Sequence, residues 1–412
     1  MSANNSESPK LSIRPVQYRD LEIIEAHCKA EAEFGYAIDS PLLTERLKNF
    51  RSWYGLFKLI SIFPNPFRHH LSAYVAELAK GNKFLLGFIQ IAPFNETRST
   101  WRVQQVLMPS AEDSAKLGLD PKKVGSQLLR HCFEAILEAR TWVLEVDASE
   151  KDALALYRQN GFQPLAHLTY WSLPATLLSQ LAQEKLEIAN LLPLNNADAQ
   201  LRYQLDCVSM PPLLRQVFDR HIQDFKSSFL SSCINKIQQW CTKTQVVSGY
   251  VFEPQRKAAI GYFKLSICKD ASNAHQAELT VHPAYTWLYP QLLAHMAQLV
   301  QPFPAQSLQL ASADYQHERE EYLDKLGAEQ SGHGLLMSRS IWHKLKEARS
   351  EGLQFPEVLQ GLQTLPRTPI PTRMPWLDDS KNLPAQSREI KPPNSNGHNG
   401  NQHGSTNLPE GS

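Results

Sequence analysis

The feature of this sequence that most constrains its fold is an internal duplication. A glycine inside an apolar, strand-like segment precedes a strand-ending proline by about 22 residues in two places, Gly87 before Pro109 and Gly261 before Pro283. In each copy a helical pattern, an apolar strand and a short helix ending at a glycine then follow in the same order. The duplication predicts two domains of one architecture in a single chain.

The first copy alternates strand and helix patterns. The pattern predicts strands at 11–15, 73–79, 83–92, 101–108 and 141–146, and one or two more within 162–173. Helices are expected from about Arg19, over 122–139, and from Ser149 to the stop at Gly161, with a hairpin turn at 80–82. This order is typical of an α/β fold with a mixed, mostly antiparallel sheet flanked by helices.

The second copy keeps the same order with changed residues. We predict strands at 246–252, 258–268 and 307–311, and helices at 291–300 and 315–326. The resulting domain limits are a disordered N-terminus at 1–10, a first domain at 11–175, a second at 186–348 and a disordered Pro-, Asn- and Gly-rich tail at 352–412.

Composition excludes several classes of function. A net charge of +1 without a long Lys/Arg block argues against nucleic acid as a partner. The six cysteines form no C-x-x-C pair and no Cys/His set with zinc-ligand spacing, so no metal is expected. The polar first ten residues and the lack of a run of about 20 apolar residues predict a cytoplasmic protein without a membrane span.

The segment Ala153–Phe162 carries the pattern A-x-x-L-Y-x-x-x-G-F. With the strand-like segments before it, the segment resembles the GNAT (GCN5-related N-acetyltransferase) superfamily in its tandem form, and the resemblance covers roughly residues 11–173. It implies two GNAT-like domains, each with a sheet splayed between its fourth and fifth strands. It also implies an N-acyltransferase that holds acetyl-CoA in the first cleft, where an amine acceptor attacks directly.

The resemblance also implies where the pyrophosphate of the coenzyme would bind. The family carries R/Q-x-x-G-x-G/A at the helix after the fourth strand, where free N–H groups and the helix dipole favour an anion. The matching stretch begins at Asp120, so an acidic residue replaces Arg or Gln, and the loop before it is about eight residues longer. The cofactor-binding residues predicted here are Lys122, Lys123, Val124, Gly125 and Ser126. The two lysines either contact phosphate or form a solvated first turn.

Catalytic roles follow from the same resemblance. Tyr157 would protonate the departing thiolate, because a phenol with a pKa near 10 keeps its proton at neutral pH. Main-chain N–H groups of Leu107 and Met108 would polarise the thioester carbonyl. Gln105 would orient a water molecule and Glu145 would act as the base, unless Glu145 faces solvent instead.

The second copy resembles a GNAT domain that has lost its chemistry. Bulky residues at 286–290 replace the glycine loop, although Tyr322 appears at the place of the family tyrosine and keeps a residual site open. The aromatic segment 53–67 is read as packing, a pocket lid or a contact surface. A non-catalytic acyl-CoA sensor or scaffold is the alternative function, and the acceptor, the acyl length and a homodimer stay open.

Overall fold

The computed structural model describes residues 11–24, 72–78, 85–109, 117–184, 187–227 and 243–341, together with 114 and 239 and without 18 and 21. The strands are β1 Leu11–Pro15, β2 Ser72–Leu78, β3 Leu85–Pro93, β4 Thr100–Leu107, β5 Thr141–Asp147, β6 Gln163–Leu173, β7 Leu191–Pro193, β8 Thr244–Glu253, β9 Ala258–Cys268, β10 His275–Val281, β11 Leu308–Ala313 and β12 Glu329–Ser340. The α-helices are α1 Pro121–Ala135, α2 Lys151–Gln159, α3 Ala175–Leu181, α4 Ala199–Ser209, α5 Pro212–Phe218, α6 Leu288–Val300 and α7 His317–Leu326.

All twelve strands belong to one sheet, in the order β1-β2-β3-β4-β5-β12-β6-β11-β10-β9-β8-β7. Most neighbours are antiparallel. The two parallel pairs are β4 with β5 and β10 with β11, one in each copy. The described residues therefore form a mixed α/β fold with a large, mostly antiparallel sheet, as the sequence predicts.

Helix α1 shows why the periodic segment folds as it does. Pro121 stands at its first turn, and the Asp120 side chain caps it by accepting a hydrogen bond from the Lys122 N–H at 3.0 Å. The buried side chains recur at helical spacing, which lays one face of the helix on the sheet. They are Val124, Leu128, Leu129, Cys132 and Phe133, and they join a core that includes Trp101, Trp142 and Phe162.

A glycine in the third strand of each copy lets a helix come close to the sheet. A Cβ on Gly87 would lie within 3.1 Å of two side chains of α1, and a Cβ on Gly261 would lie 3.2 Å from two side chains of α6. The contacted residues are Val124 and Leu128 in α1 and Leu288 and Leu292 in α6. Both pairs are four residues apart, so the two copies pack a helix on the sheet in the same way.

The two copies exchange strands. Strand β12 of the second copy lies between β5 and β6 of the first, and its Leu335 and Met337 are buried in the core of the first copy. In return β6 pairs with β11, and its Trp171 and Leu173 are buried in the core of the second copy. Each core is therefore completed by a strand from the other copy.

Most predicted elements in the described residues are confirmed, with ends shifted by a few residues. The sequence patterns did not predict the strands β7 and β12 or the helices α3, α4 and α5. The hairpin turn at 80–82, most of the helix from Arg19, the aromatic segment 53–67 and the two predicted disordered ends lie outside the described residues. The domain limits stay predictions.

Candidate functional site

An opening between β4 and β5 defines the candidate site. The two parallel strands pair from Thr100–Thr141 to Val103–Leu144, and then both continue without pairing to each other. We call this opening the first cleft. A β-bulge at Gln104 lies on the β4 side of the first cleft. Gln90 and Ile91 are consecutive in β3 but pair with Gln105 and Val103, so Gln104 is an extra residue in β4.

The polar side chains predicted for catalysis lie on the two strands that border the first cleft. Gln104 is exposed and Gln105 is half-buried on β4. Glu145 follows the last paired residue of β5, and its carboxylate forms an ion pair with Arg102 at 3.1 Å. The structure thus brings Gln105 and Glu145 to one opening, with Glu145 already engaged by a cation.

Tyr157 lies on α2 and is 8% exposed. Its ring packs edge-on against Phe162, with 5.8 Å between ring centroids, and belongs to the core of the first copy. Burial raises the pKa of the Tyr157 phenol above its ordinary value of 10.0. The phenol therefore keeps its proton at neutral pH, and burial also makes it a weaker acid than an exposed tyrosine.

At the N-terminus of α1, side chains of this protein already bind part of the groups that a phosphate would need. The Asp120 carboxylate takes the Lys122 N–H, and the Lys122 ammonium pairs with Asp152 of α2 at 2.9 Å. Lys123 is exposed. The Ser126 hydroxyl accepts a hydrogen bond from Asn160 at 2.8 Å. An anion at this helix end would meet the negative charge of Asp120 before it reached the N–H groups.

Gly125, which the sequence predicts as part of the phosphate site, lies in a tight helix contact. A Cβ at this position would lie 2.8 Å from Leu156 Cδ2 and 3.3 Å from Met108 Sδ, so a larger residue would require the Leu156 side chain to move. Val124 is buried, as is Leu107, while Met108 is half-buried. Gly125 thus lies where α1 packs against α2 and against Met108, the residue after β4.

Two residues that hold this region together were not found from the sequence. Asn160 is 5% exposed and ties the end of α2 to Ser126. Arg339 of β12 donates a hydrogen bond to the Asn160 carbonyl, and its guanidinium lies 4.3 Å from the centre of the Phe133 ring. The Asn-Gly pair after α2 was a signal for a helix cap, but nothing near Arg339 in the sequence points to α2.

The glycines that follow α2 and α7 show which residue of the second copy is equivalent to Tyr157. Gly161 and Gly327 both have positive φ, 79° and 82°, and each follows its helix directly or by one residue. Counting back four positions from each glycine leads to Tyr157 in the first copy and to Leu323 in the second, not to Tyr322. Leu323 is fully buried and carries no hydroxyl, so by this count the residue equivalent to Tyr157 is not a tyrosine.

The N-terminus of α6 differs from that of α1 in the way that the sequence predicts. A 3₁₀ turn, Pro283–Tyr285, leads into α6 almost at once, and no side chain caps the helix. Strand β10 also pairs with β9 without a bulge. Within the described part of the chain, no group of three or more His, Cys, Asp or Glu side chains could hold a metal ion, and no helix there is long and apolar enough to cross a membrane.

Comparison with known proteins identifies the fold. No protein-family model matches the sequence, and no curated protein matches it. A solved tandem GNAT protein from the clavulanic acid biosynthesis pathway is similar over 80% of this chain and 98% of its own, at 14% identity and a TM-score of 0.51. A GCN5-related N-acetyltransferase from Sphaerobacter thermophilus is similar over 80% of this chain and 95% of its own, at 11% identity and a TM-score of 0.44. The duplicated, twice-splayed sheet and the first of these similarities show that this chain has the GNAT acetyltransferase fold in its tandem form.

Proposed function

We propose that this chain is an N-acetyltransferase that moves an acetyl group from acetyl-CoA to an amine acceptor in the first cleft. The observation that supports the proposal most is the first cleft itself. It combines a splayed strand pair, a bulge at Gln104 and two flanking helices within an acetyltransferase fold. We also place the protein in the cytosol, because Cys132, Cys207 and Cys268 are free thiols.

The residues around the first cleft suit the acyl end of the coenzyme better than its pyrophosphate. Beyond Val103, β4 does not pair with β5, and an extended ligand would lie between the two strands there. The main-chain N–H of Val124 already donates to the Asp120 carbonyl at 3.3 Å, so the ammonium groups of Lys122 and Lys123 are the groups that would hold phosphate. Lys122 would have to leave Asp152 to do so.

Acetyl-CoA, when bound, supplies an activated thioester whose carbonyl carbon an amine can attack. The N–H groups of Leu107 and Met108 donate hydrogen bonds to the carbonyl oxygen as negative charge develops there. Glu145 receives the proton of the amine, directly or through a water molecule that Gln105 orients. Tyr157 donates its proton to the departing sulfur.

Substitution of Tyr157 tests the proton donor. Tyr157→Phe keeps the buried ring and removes only the hydroxyl, so kcat should fall by about 100-fold or more while acetyl-CoA affinity stays within about two-fold. Release of free thiol from acetyl-CoA with a panel of amines measures kcat, and calorimetric titration measures affinity. Tyr322→Phe on the equivalent helix is the matched control and should change neither value. An unchanged kcat in Tyr157→Phe removes this residue from the reaction.

A second function, a non-catalytic acyl-CoA sensor, is favoured by two observations. The Asp120 carboxylate lies where an anion would bind, and Glu145 is held in an ion pair with Arg102. The same two measurements separate the functions. Acetyl-CoA binding with no thiol release from any amine favours the sensor, whereas no binding at all contradicts both functions.

A further inference from the structure

A buried arginine lies in the opening between the parallel strands of the second copy. Strands β10 and β11 pair from His275–Leu308 to Ala277–Leu310 and then continue unpaired to each other, forming what we call the second cleft. The Arg319 guanidinium donates hydrogen bonds to the main-chain carbonyl of Leu279 on β10 and, at 2.9 Å, to that of Ala311 on β11. Its two N–H donors thus bridge the strands just beyond their last pair.

Arg319 is buried beside an aromatic ring, and its Nε atom is buried without a hydrogen-bond partner among the described residues. The residue is 3% exposed, and its guanidinium lies 5.7 Å from the centre of the Tyr289 ring of α6. Burial lowers the pKa of Arg319, although a guanidinium remains charged. A charge of this kind is buried only where several acceptors receive it, and the carbonyl groups of two separated strands are such acceptors.

The first copy has a small residue at the same helix position. Eight residues before its capping glycine, α2 carries Ala153, and α7 carries Arg319 eight residues before Gly327. Both helices follow the fifth strand of their copy and are closed by a glycine with positive φ, so the two positions are equivalent. Ala153 is the first residue of the A-x-x-L-Y pattern, and its side chain is a single methyl group.

We infer that Arg319 is a built-in occupant of the second cleft and that the residue at this helix position decides which cleft takes a ligand. The second cleft is filled by the chain's own guanidinium, which uses main-chain acceptors that an extended ligand would otherwise meet. The methyl group of Ala153 is too short and carries no donor, so it cannot bridge the strands of the first cleft in this way. Resting on the function proposed above, this assignment allows one acyl-CoA per chain, bound by the first copy.

Binding stoichiometry is the first test. Calorimetric titration of the full chain with acetyl-CoA should give one site per chain, and two sites of similar affinity would overturn the inference. Ala153→Arg should abolish detectable binding while the far-UV circular dichroism spectrum stays native. Gln159→Arg, which adds the same charge at an exposed position of the same helix, is the matched control and should bind normally. Normal binding by Ala153→Arg would contradict the role of this position.

A second test does not depend on acetyl-CoA. Hydrogen exchange measured on the full chain should become faster at residues 278–281 and 311–313 in Arg319→Ala, because the strands lose their bridge. Arg319→Lys keeps the charge but not the two-pronged donor, and should show an intermediate increase. Unchanged exchange in both variants would show that Arg319 does not close the second cleft. If the wild-type chain binds no acetyl-CoA but exchange responds as expected, the proposed function fails and the closure stands.

Discussion

Separating the two copies should unfold both of them, because each core is completed by a strand of the other. The perturbation is a protease site inserted between Glu184 and Glu187, followed by cleavage and by separation of the two pieces in denaturant. The first piece then lacks β12, and the second lacks β6.

The magnitude follows from the side chains that are lost. Leu335 and Met337 are 4% and 0% exposed in the core of the first copy. Full burial of each contributes about 1.5–3 kcal/mol, so the first piece loses about 3–6 kcal/mol of apolar burial. The main-chain hydrogen bonds between β5 and β12 add about 1 kcal/mol net each. A loss of this size matches the entire stability of a typical domain, about 5–15 kcal/mol.

The assay is refolding by dilution, followed by near-UV circular dichroism and urea titration. The cleaved but unseparated protein is the control and should keep a cooperative transition, because both strands are still present. Each separated piece should show no cooperative transition, and mixing the pieces should restore one. A first piece that unfolds cooperatively by itself, with a midpoint near that of the intact chain, would refute the assigned role of β12.

Three further predictions concern charged side chains. Asp120→Asn keeps an N-cap and removes a negative charge, so acetyl-CoA should bind more tightly, by about 0.3–1 kcal/mol at low salt, in a calorimetric titration; unchanged affinity would place the phosphate elsewhere. Burial raises the pKa of Asp20, but hydrogen bonds from Arg14 and a main-chain N–H outweigh it, so the net pKa is lowered. The stability that this pair contributes should therefore be complete above about pH 4 and be lost as the pH falls, and Asp20→Asn should cost about 1–3 kcal/mol in urea unfolding at pH 7 but little at pH 2; a pH-independent cost would contradict the pairing. Arg339→Met should lower stability by about 1–2 kcal/mol in the same assay, since the Asn160 carbonyl at the end of α2 loses its donor, and an unchanged midpoint would contradict this contact.

Part of the candidate site could be predicted, because some of its residues are neighbours in the sequence. The pattern from Ala153 to Gly161 indicates a helix with a tyrosine and a glycine cap, and the structure has both. The strands that carry Gln105 and Glu145 were predicted from their own apolar patterns. That these strands pair and then separate came from the resemblance to a known family, since no local pattern encodes where a pair of strands ends.

The sequence alone could not predict the contacts between residues that are far apart in the chain. The contact of Gly125 with Leu156 and the hydrogen bond of Arg339 to Asn160 join residues far apart in the chain. A half-buried arginine on an alternating strand has the same local pattern whether it faces solvent or a helix end. The assignment of Tyr322 to the position of Tyr157 is a different case, because it is local in sequence. Counting back from the capping glycine places Leu323, not Tyr322, at the position equivalent to Tyr157.

The sequence by itself determined the duplicated order of elements, the helix of Tyr157 and the absence of a glycine loop in the second copy, because periodicity, caps and turns depend on neighbouring residues. Only the tertiary structure decided which copy completes which core and which side chain fills the second cleft. A strand such as β12 can pair with any edge of suitable pattern, and the choice depends on the total burial and hydrogen bonding of the assembled sheet. The sequence around Arg319 is that of a polar helix and predicts a surface position. Arg319 is nevertheless buried between two strands, because its environment also depends on the assembled sheet.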